Sequence, residues 1–270
     1  MKLLTMAEID LRKIMPFSIG LFITAVIGTQ GLFFIAITKL KESLEYAAAD
    51  NQMMIEEYMA TINKITLSTI INAFSYPVLF MAGLGLILIL SGFYLWYKDW
   101  FGTSKPIYTL LTLKGSRMRI FTAKLLVFLL LFFAYYGIHL LNLFLAGKMA
   151  GMLLPDGSLS ENLLYSFLMY DSFRMYLIPN SFESLLFHGA FLIMMFSILS
   201  VAVLSDRSKR IWGLAFGAVY IIVSMYAFIY LYTLDFYSSE LKIAQWLFVA
   251  IYLAASLLLS RYLLKKKVSI

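Results

Sequence analysis

The sequence contains no cysteine among its 270 residues, which excludes disulfide bonds, iron–sulfur clusters and thiolate metal sites. Charge is also scarce, because only 14% of the residues are charged, whereas soluble domains carry about 25%. The hydrophobic fraction is correspondingly high, at 62%. These proportions predict an all-α polytopic membrane protein rather than a soluble domain.

Several catalytic motifs are missing as well. The sequence has no G-x-x-x-x-G-K-[ST] phosphate loop and no H-E-x-x-H zinc motif, and it has only two histidines. The chain is therefore not expected to be an enzyme, and it is expected to hold no metal or cofactor. No acidic residue lies deep in a predicted span, which argues against an ion-driven carrier. If the protein moves a cargo, the energy is expected to come from outside this chain.

Long apolar runs predict one transmembrane domain over residues 1–270, with six helices that each have enough residues to cross a bilayer. The predicted spans are residues 16–38, 73–97, 120–146, 184–204, 211–232 and 242–259. Small residues at four-residue spacing predict close helix packing along Gly20, Thr24 and Gly28, with simply tolerated small residues as the alternative, and a second packing row at Gly213 and Gly217. Pro77 is expected to kink the outer end of the second span, and residues 205–210 are expected to form a tight turn.

The segments between the spans carry further predictions. Residues 3–15 favour an interfacial helix along the inner leaflet, with an extension of the first span as the alternative. Residues 39–72 and 147–183 form two long outer segments. The first is expected to contain an amphipathic helix from about residue 55. The second is expected to contain a turn at Pro155-Asp-Gly157, followed by a surface-lying or re-entrant helix.

Lysine and arginine are distributed unevenly among these segments. Most of them fall in the N-terminal segment, in the loop after the second span, in residues 205–210 and at the C-terminus. Cytoplasmic segments are enriched in these residues, so both termini are expected to be cytoplasmic in a plasma-membrane protein. Membrane topology and anionic lipid explain the net charge of +7 better than nucleic acid does, because the basic residues lie in separate loops.

The loop from Lys98 to Lys124 has a helical pattern of its own. Pro106 suits a first helical turn, and Gly115 suits a C-terminal stop. Ile107, Leu110 and Leu111 fall at i, i+3 and i+4, which predicts a short amphipathic helix over residues 103–115. A lipid headgroup layer or a protein partner must cover its apolar stripe.

Six spans, two cytoplasmic ends, an amphipathic N-terminal helix and this structured loop together resemble the permease subunits of ATP-binding-cassette exporters of type 2. The run Tyr108-Thr-Leu-Leu-Thr-Leu-Lys-Gly-Ser-Arg-Met-Arg-Ile-Phe-Thr-Ala-Lys-Leu-Leu126 keeps much of that family's pattern, although Lys114-Gly115 replaces its usual proline pair. The resemblance implies a permease that dimerises with itself or with a sister subunit. It also implies a separate cytoplasmic ATPase, holding ATP and magnesium, that docks on the 103–115 coupling helix. The implied docking residues are Ile107, Tyr108, Leu110, Leu111, Arg117 and Arg119.

A few polar residues inside the spans are candidates for a substrate path. His139 and Asn142 share one helical face of the third span, and Gln30 lies in the first. The alternative explanation is an interhelical hydrogen bond or an interfacial position near the outer leaflet. The cargo of an exporter would be amphipathic or hydrophobic: a peptide, a drug or a lipid. Two other functions stay open, namely an intramembrane lipid- or peptide-modifying enzyme using His139 with Ser197 or Ser200, and a membrane anchor or regulatory subunit.

Overall fold

The computed structural model describes residues 3–101, 116–155, 157–160, 181–209 and 211–267, and the chain is almost entirely helical within these ranges. Six helices in the described part are long and apolar enough to cross a membrane, and they indicate a multi-pass membrane protein. They are α1 (Leu3–Asp50), α4 (Tyr76–Trp100), α5 (Met118–Leu153), α6 (Phe182–Lys209), α7 (Ile211–Tyr230) and α8 (Ser238–Tyr262). Two short helices, α2 (Ile55–Thr61) and α3 (Leu67–Ala73), lie between α1 and α4.

Four of the six long helices, α1, α5, α6 and α8, extend beyond the predicted spans at both ends, whereas α4 begins three residues later than predicted and α7 ends two residues earlier. The 48 residues of α1 give a helix roughly 72 Å long, whereas the hydrocarbon core of a bilayer is about 30 Å thick. No break separates an N-terminal helix from the first span, because α1 continues through Pro16. The N-terminal segment thus matches the alternative prediction, an extension of the first span. Met6, Asp10 and Ile14 bury one face of this extension against protein.

The first outer segment differs in detail from its prediction. Its amphipathic stretch is not one helix, because the chain is extended between α2 and α3. There the Ile65 N–H donates to the Ser158 carbonyl at 2.8 Å, and the Ser160 N–H donates to the Ile65 carbonyl at 3.0 Å. The predicted Pro155–Gly157 turn is confirmed by a 3.2 Å hydrogen bond from the Ser158 N–H to the Pro155 carbonyl. Gly157 has a φ of 76°, which glycine adopts without steric cost. The helix predicted to follow this turn falls largely on residues 161–180, outside the described residues.

Pro77 does not kink the second span. It is the second residue of α4, in the first helical turn, where its missing N–H has no intrahelical partner to lose. The tight turn predicted for residues 205–210 does not occupy residues 205–209, because α6 remains helical through Lys209, and residue 210 lies outside the described residues. Tertiary contacts hold this last turn: Asp206 accepts a 3.1 Å hydrogen bond from the Tyr97 hydroxyl, and the Arg207 guanidinium lies 4.9 Å from the ring centre of Phe101.

The described chain divides into two compact units. The first contains residues 1–16, 88–132 and 185–270, and the second contains residues 17–87 and 133–184. The core of the second unit joins α1, α3 and α5 through buried side chains such as Phe33, Ile37, Leu67, Ile70 and Leu143. In the same unit, the Phe80 ring lies 2.7 Å from where a Cβ on Gly28 would be, whereas a Cβ on Gly20 would have nothing within 4 Å, so of the two glycines in the predicted row only Gly28 is closely packed.

Close packing also shapes the first unit. A Cβ on Gly213 would lie 1.8 Å from the Ser205 carbonyl oxygen, and one on Gly217 would lie 2.8 Å from the Ala202 Cα. The two glycines therefore let α7 approach the backbone of α6, which confirms the predicted packing row. The rings of Phe121, Phe128 and Phe196 pack together between α5 and α6, with centroid distances of 5.0–5.5 Å.

Candidate functional site: a buried ion cluster

Three helices of the first unit bring charged side chains to one buried point. Asp10 comes from the first turns of α1, Asp99 from the last turn of α4, and Lys124 from the second turn of α5. The three residues are 6%, 1% and 0% exposed, respectively. The Lys124 ammonium donates to Asp99 Oδ2 and lies 3.4 Å from both carboxylate oxygens of Asp10. We call these three residues, together with Lys13, which pairs with Asp99, the ion cluster.

The rest of the lysine's coordination is also satisfied. Lys124 Nζ donates to the Leu95 carbonyl at 2.6 Å, one turn before Asp99 on α4, and it lies 5.5 Å from the ring centre of Trp96. An ammonium group has three donors, and the two carboxylates with this carbonyl can accept all of them. The buried charge is therefore fully paired, which is the condition under which burial of an ion is tolerated.

A second lysine closes the cluster from the more exposed side. Lys13 Nζ lies 2.8 Å from Asp99 Oδ1, with 30% of the Lys13 side chain exposed. The backbone carbonyl of Lys13 accepts a 2.7 Å hydrogen bond from Lys98 Nζ, so α1 and α4 are connected twice. Two ammonium groups face two carboxylates, and the cluster is neutral in sum. The space beside Asp10, Lys13 and Asp99 is too small for a water molecule. Among the described residues, the cluster therefore holds the three helices together.

A cation enclosed by aromatic rings lies in the same unit. The guanidinium of Arg207, near the end of α6, is 5.2 Å from the ring centre of Tyr97, 5.7 Å from that of Trp100 and 4.9 Å from that of Phe101. Cations at such distances are attracted to the faces of aromatic rings. Further up α4, Trp96 Nε1 donates to Ser200 Oγ at 2.8 Å. The last turns of α4 are thus bonded to α1, α5 and α6.

The predicted ATPase-docking residues are only partly described. Ile107, Tyr108, Leu110 and Leu111 lie outside the described residues, as does the whole 103–115 helix. Arg117 donates from Nη1 to the Leu264 carbonyl at 2.8 Å, which joins the start of α5 to the turn after α8. Arg119 is exposed in the first turn of α5. The two arginines thus differ, since one has a structural contact and the other faces outward.

The predicted substrate-path residues lie in the second unit, and two of them bond to each other. Gln30 Nε2 donates to Asn142 Oδ1 at 3.1 Å and to the Asn142 carbonyl at 2.9 Å, while Asn142 Nδ2 donates to the Ala25 carbonyl at 3.1 Å. These bonds fit the alternative explanation, interhelical hydrogen bonding between α1 and α5. His139 is 1% exposed, its ring is 4.0 Å from that of Tyr135, and neither ring nitrogen has a hydrogen-bond partner in the described chain.

The ion cluster was not predicted from the sequence. In the sequence, Lys124 is only the last basic residue of the loop that begins at Lys98, and no pattern assigns a role to Asp10. One signal was available: Ile120 and Phe128 lie four residues before and after Lys124, so the lysine occupies the apolar, inward face of α5. A lone cation on such a face needs a buried anion, and the nearest candidates are at helix ends.

Comparisons with protein-family models, with curated proteins and with solved structures find no match for this chain. The class of protein therefore follows from the helices alone: it is an α-helical protein with six candidate membrane-spanning helices among its described residues.

Proposed function

We propose that the chain is the transmembrane subunit of an ATP-binding-cassette exporter, and that a separate ATPase docks on residues 103–115. The cargo would be an amphipathic or hydrophobic peptide, drug or lipid. The complex would contain two permease subunits, identical or related, in the plasma membrane with their termini in the cytoplasm. ATP and magnesium would bind in the partner, since this sequence has no phosphate loop.

The ion cluster is the observation that carries this proposal. Asp99 lies three residues before the 102–115 segment, and Lys124 lies nine residues after it, so their contact ties the two flanks of that segment together. Asp10 adds the N-terminal extension of α1 to the same point. A docking loop can transmit movement to membrane helices only if its flanks are stiff, because coupling travels through packed side chains, ion pairs and rigid helices.

Burying an ion cluster costs desolvation free energy, so stability alone does not explain it. Well-packed apolar residues of similar volume often stabilise a protein as well as a buried ion pair does, or better. In some proteins buried ionic groups fix one arrangement of helices against others, and we propose that role for this cluster. The ion cluster would thus hold the helix ends on both sides of the loop in one defined arrangement. Such an arrangement suits a subunit that must follow the movements of an ATPase.

No specific observation favours the enzyme alternative. The Ser197 hydroxyl donates to the Ile193 carbonyl at 2.6 Å, and the Ser200 hydroxyl donates to the Phe196 carbonyl at 2.7 Å. Each of these serine hydroxyl protons is therefore engaged by the helix backbone rather than by a base. A non-transporting anchor or regulatory subunit would differ from an exporter in giving no ATP-dependent flux in vesicles that contain the partner.

The test is ATP hydrolysis in the complex purified from native membranes. The exporter proposal predicts an ATPase that purifies with the wild-type chain and is lost from the Leu110→Asp/Leu111→Asp variant. Tyr46→Asp is the control, because Tyr46 is 75% exposed in the polar outer part of α1 and should leave the partner in place. Retention of the ATPase by the double variant would remove the docking role, and absence of any ATPase from the wild-type complex would remove the proposal.

A further inference from the structure

The first unit contains a groove with a basic rim and an apolar floor. Its described lining consists of Ser116, Met118, Leu257, Leu258, Arg261 and Lys265, and its volume is about 350 Å³. We call it the basic groove. One wall is the start of α5, and the other is the last turns of α8 with the residues that follow.

The sequence of α8 explains how the groove combines the two kinds of side chain. Leu257 and Arg261 lie one turn apart on α8, and Lys265 follows in the helical turn after α8, so the apolar part of the helix leads into its charged end. Leu258 is 66% exposed on the same helix, within a stretch apolar enough to cross a membrane. In a helix that crosses a membrane, such a groove would run from the hydrocarbon to the headgroups.

The two walls are held together independently of any ligand. The Arg117 guanidinium donates to the Leu264 carbonyl at 2.8 Å, so the residue beside Ser116 is bonded to the residue beside Lys265. The groove is thus a built feature of the fold. Among the described lining residues there are two cations, a hydroxyl group and no carboxylate.

We propose that the basic groove binds an anionic phospholipid, with its phosphate between Arg261 and Lys265 and an acyl chain against Met118, Leu257 and Leu258. Arginine and lysine are the side chains that proteins use for phosphate, and basic pockets between membrane helices bind anionic headgroups. A zwitterionic lipid would bring its own cation to the rim and would bind less well. The proposal rests on α8 lying in a membrane and does not depend on the export function.

The experiment measures lipid binding to the full chain purified in a neutral detergent, by native mass spectrometry. The probes are phosphatidylglycerol and phosphatidylcholine with identical acyl chains, and inorganic phosphate at the same concentration. The wild type is expected to prefer phosphatidylglycerol, and the preference should fall about thirtyfold in the Arg261→Gln/Lys265→Gln variant. This value corresponds to the loss of two basic contacts at an anionic membrane surface.

Two further variants make the result specific. Arg119→Gln removes an exposed basic residue of the same region that is outside the groove lining, and it should keep the preference. The Arg261→Lys/Lys265→Arg exchange keeps both charges and should keep most of it. If the double Gln variant is misfolded by circular dichroism, Lys265→Gln alone replaces it, with a several-fold loss expected.

Three outcomes would overturn the proposal. Equal binding of the two lipids by the wild type would show that the basic rim does not discriminate between anionic and zwitterionic headgroups. An unchanged preference in a folded Gln variant would place the lipid elsewhere. Displacement of phosphatidylglycerol by inorganic phosphate at equal concentration would show an anion site in which the apolar floor plays no part.

Discussion

Replacement of Lys124 by methionine tests the ion cluster most sharply. Methionine keeps an unbranched side chain of similar volume, so the substitution removes the ammonium group and leaves no large cavity. The two carboxylates and the Leu95 carbonyl then lose their shared donor inside the protein. Removing one partner of a buried ion pair costs about 3–5 kcal/mol. Because Lys13 still pairs with Asp99, we expect a loss near the lower end, about 3 kcal/mol.

Lys13→Met is the matched control. This variant also removes one ammonium group that pairs with Asp99. However, 30% of the Lys13 side chain is exposed, and Asp99 still pairs with Lys124. Partly exposed ion pairs are screened by water, so this change should cost about 1 kcal/mol or less. Unfolding by SDS titration, followed by helical circular dichroism, gives both free energies of unfolding in the same micelle.

The double variant Asp99→Asn/Lys124→Met extends the test. It removes an anion together with the cation, so part of the stability lost in Lys124→Met should return, and the two changes should be non-additive by about 1–3 kcal/mol. Equal losses in Lys124→Met and Lys13→Met, or additive losses in the double variant, would refute the assignment of Lys124 as the buried centre of the cluster.

Two other predictions concern the packing of α7 and the orientation of the chain. Gly213→Ala should destabilise the protein by about 1–3 kcal/mol in the same unfolding assay, because its Cβ would meet the Ser205 carbonyl, whereas Gly189→Ala, with open space around its Cβ, should be neutral or slightly stabilising. The sequence has no cysteine, so single cysteines report topology directly. Leu4→Cys should be labelled only from the cytoplasmic side and Tyr46→Cys only from outside, since both positions are 75% exposed; the reverse labelling would contradict the charge-based orientation.

The six long helices were predictable because each apolar run is long enough to cross a bilayer, and this signal is local in the sequence. Their ends were not predictable with the same accuracy. Residues 39–50 are polar but remain helical to Asp50, since glutamate, lysine and alanine all favour a helix outside the membrane. The end of α6 likewise persists through a turn-like sequence because Asp206 and Arg207 are held by residues of α4.

The candidate site was harder to predict, because its members are far apart in the chain. Lys124 lies 114 residues from Asp10 and 25 residues from Asp99, and no local pattern specifies which acids will meet this lysine. The polar pair Gln30 and Asn142 was identified from its depth in the spans. Its bonding could not be read from the sequence, since an amide in a membrane helix serves equally well in a substrate path or in a helix contact.

The exporter proposal depends on a protein, rather than lipid, covering the apolar stripe of residues 103–115. Photo-crosslinking in native membranes measures this directly, with a photoreactive amino acid at Leu110 and, as a control, at Ile222, which is 64% exposed on α7. The account predicts that Leu110 links to a protein that hydrolyses ATP, while Ile222 does not link to that protein. Crosslinks from Leu110 to lipid alone would contradict it.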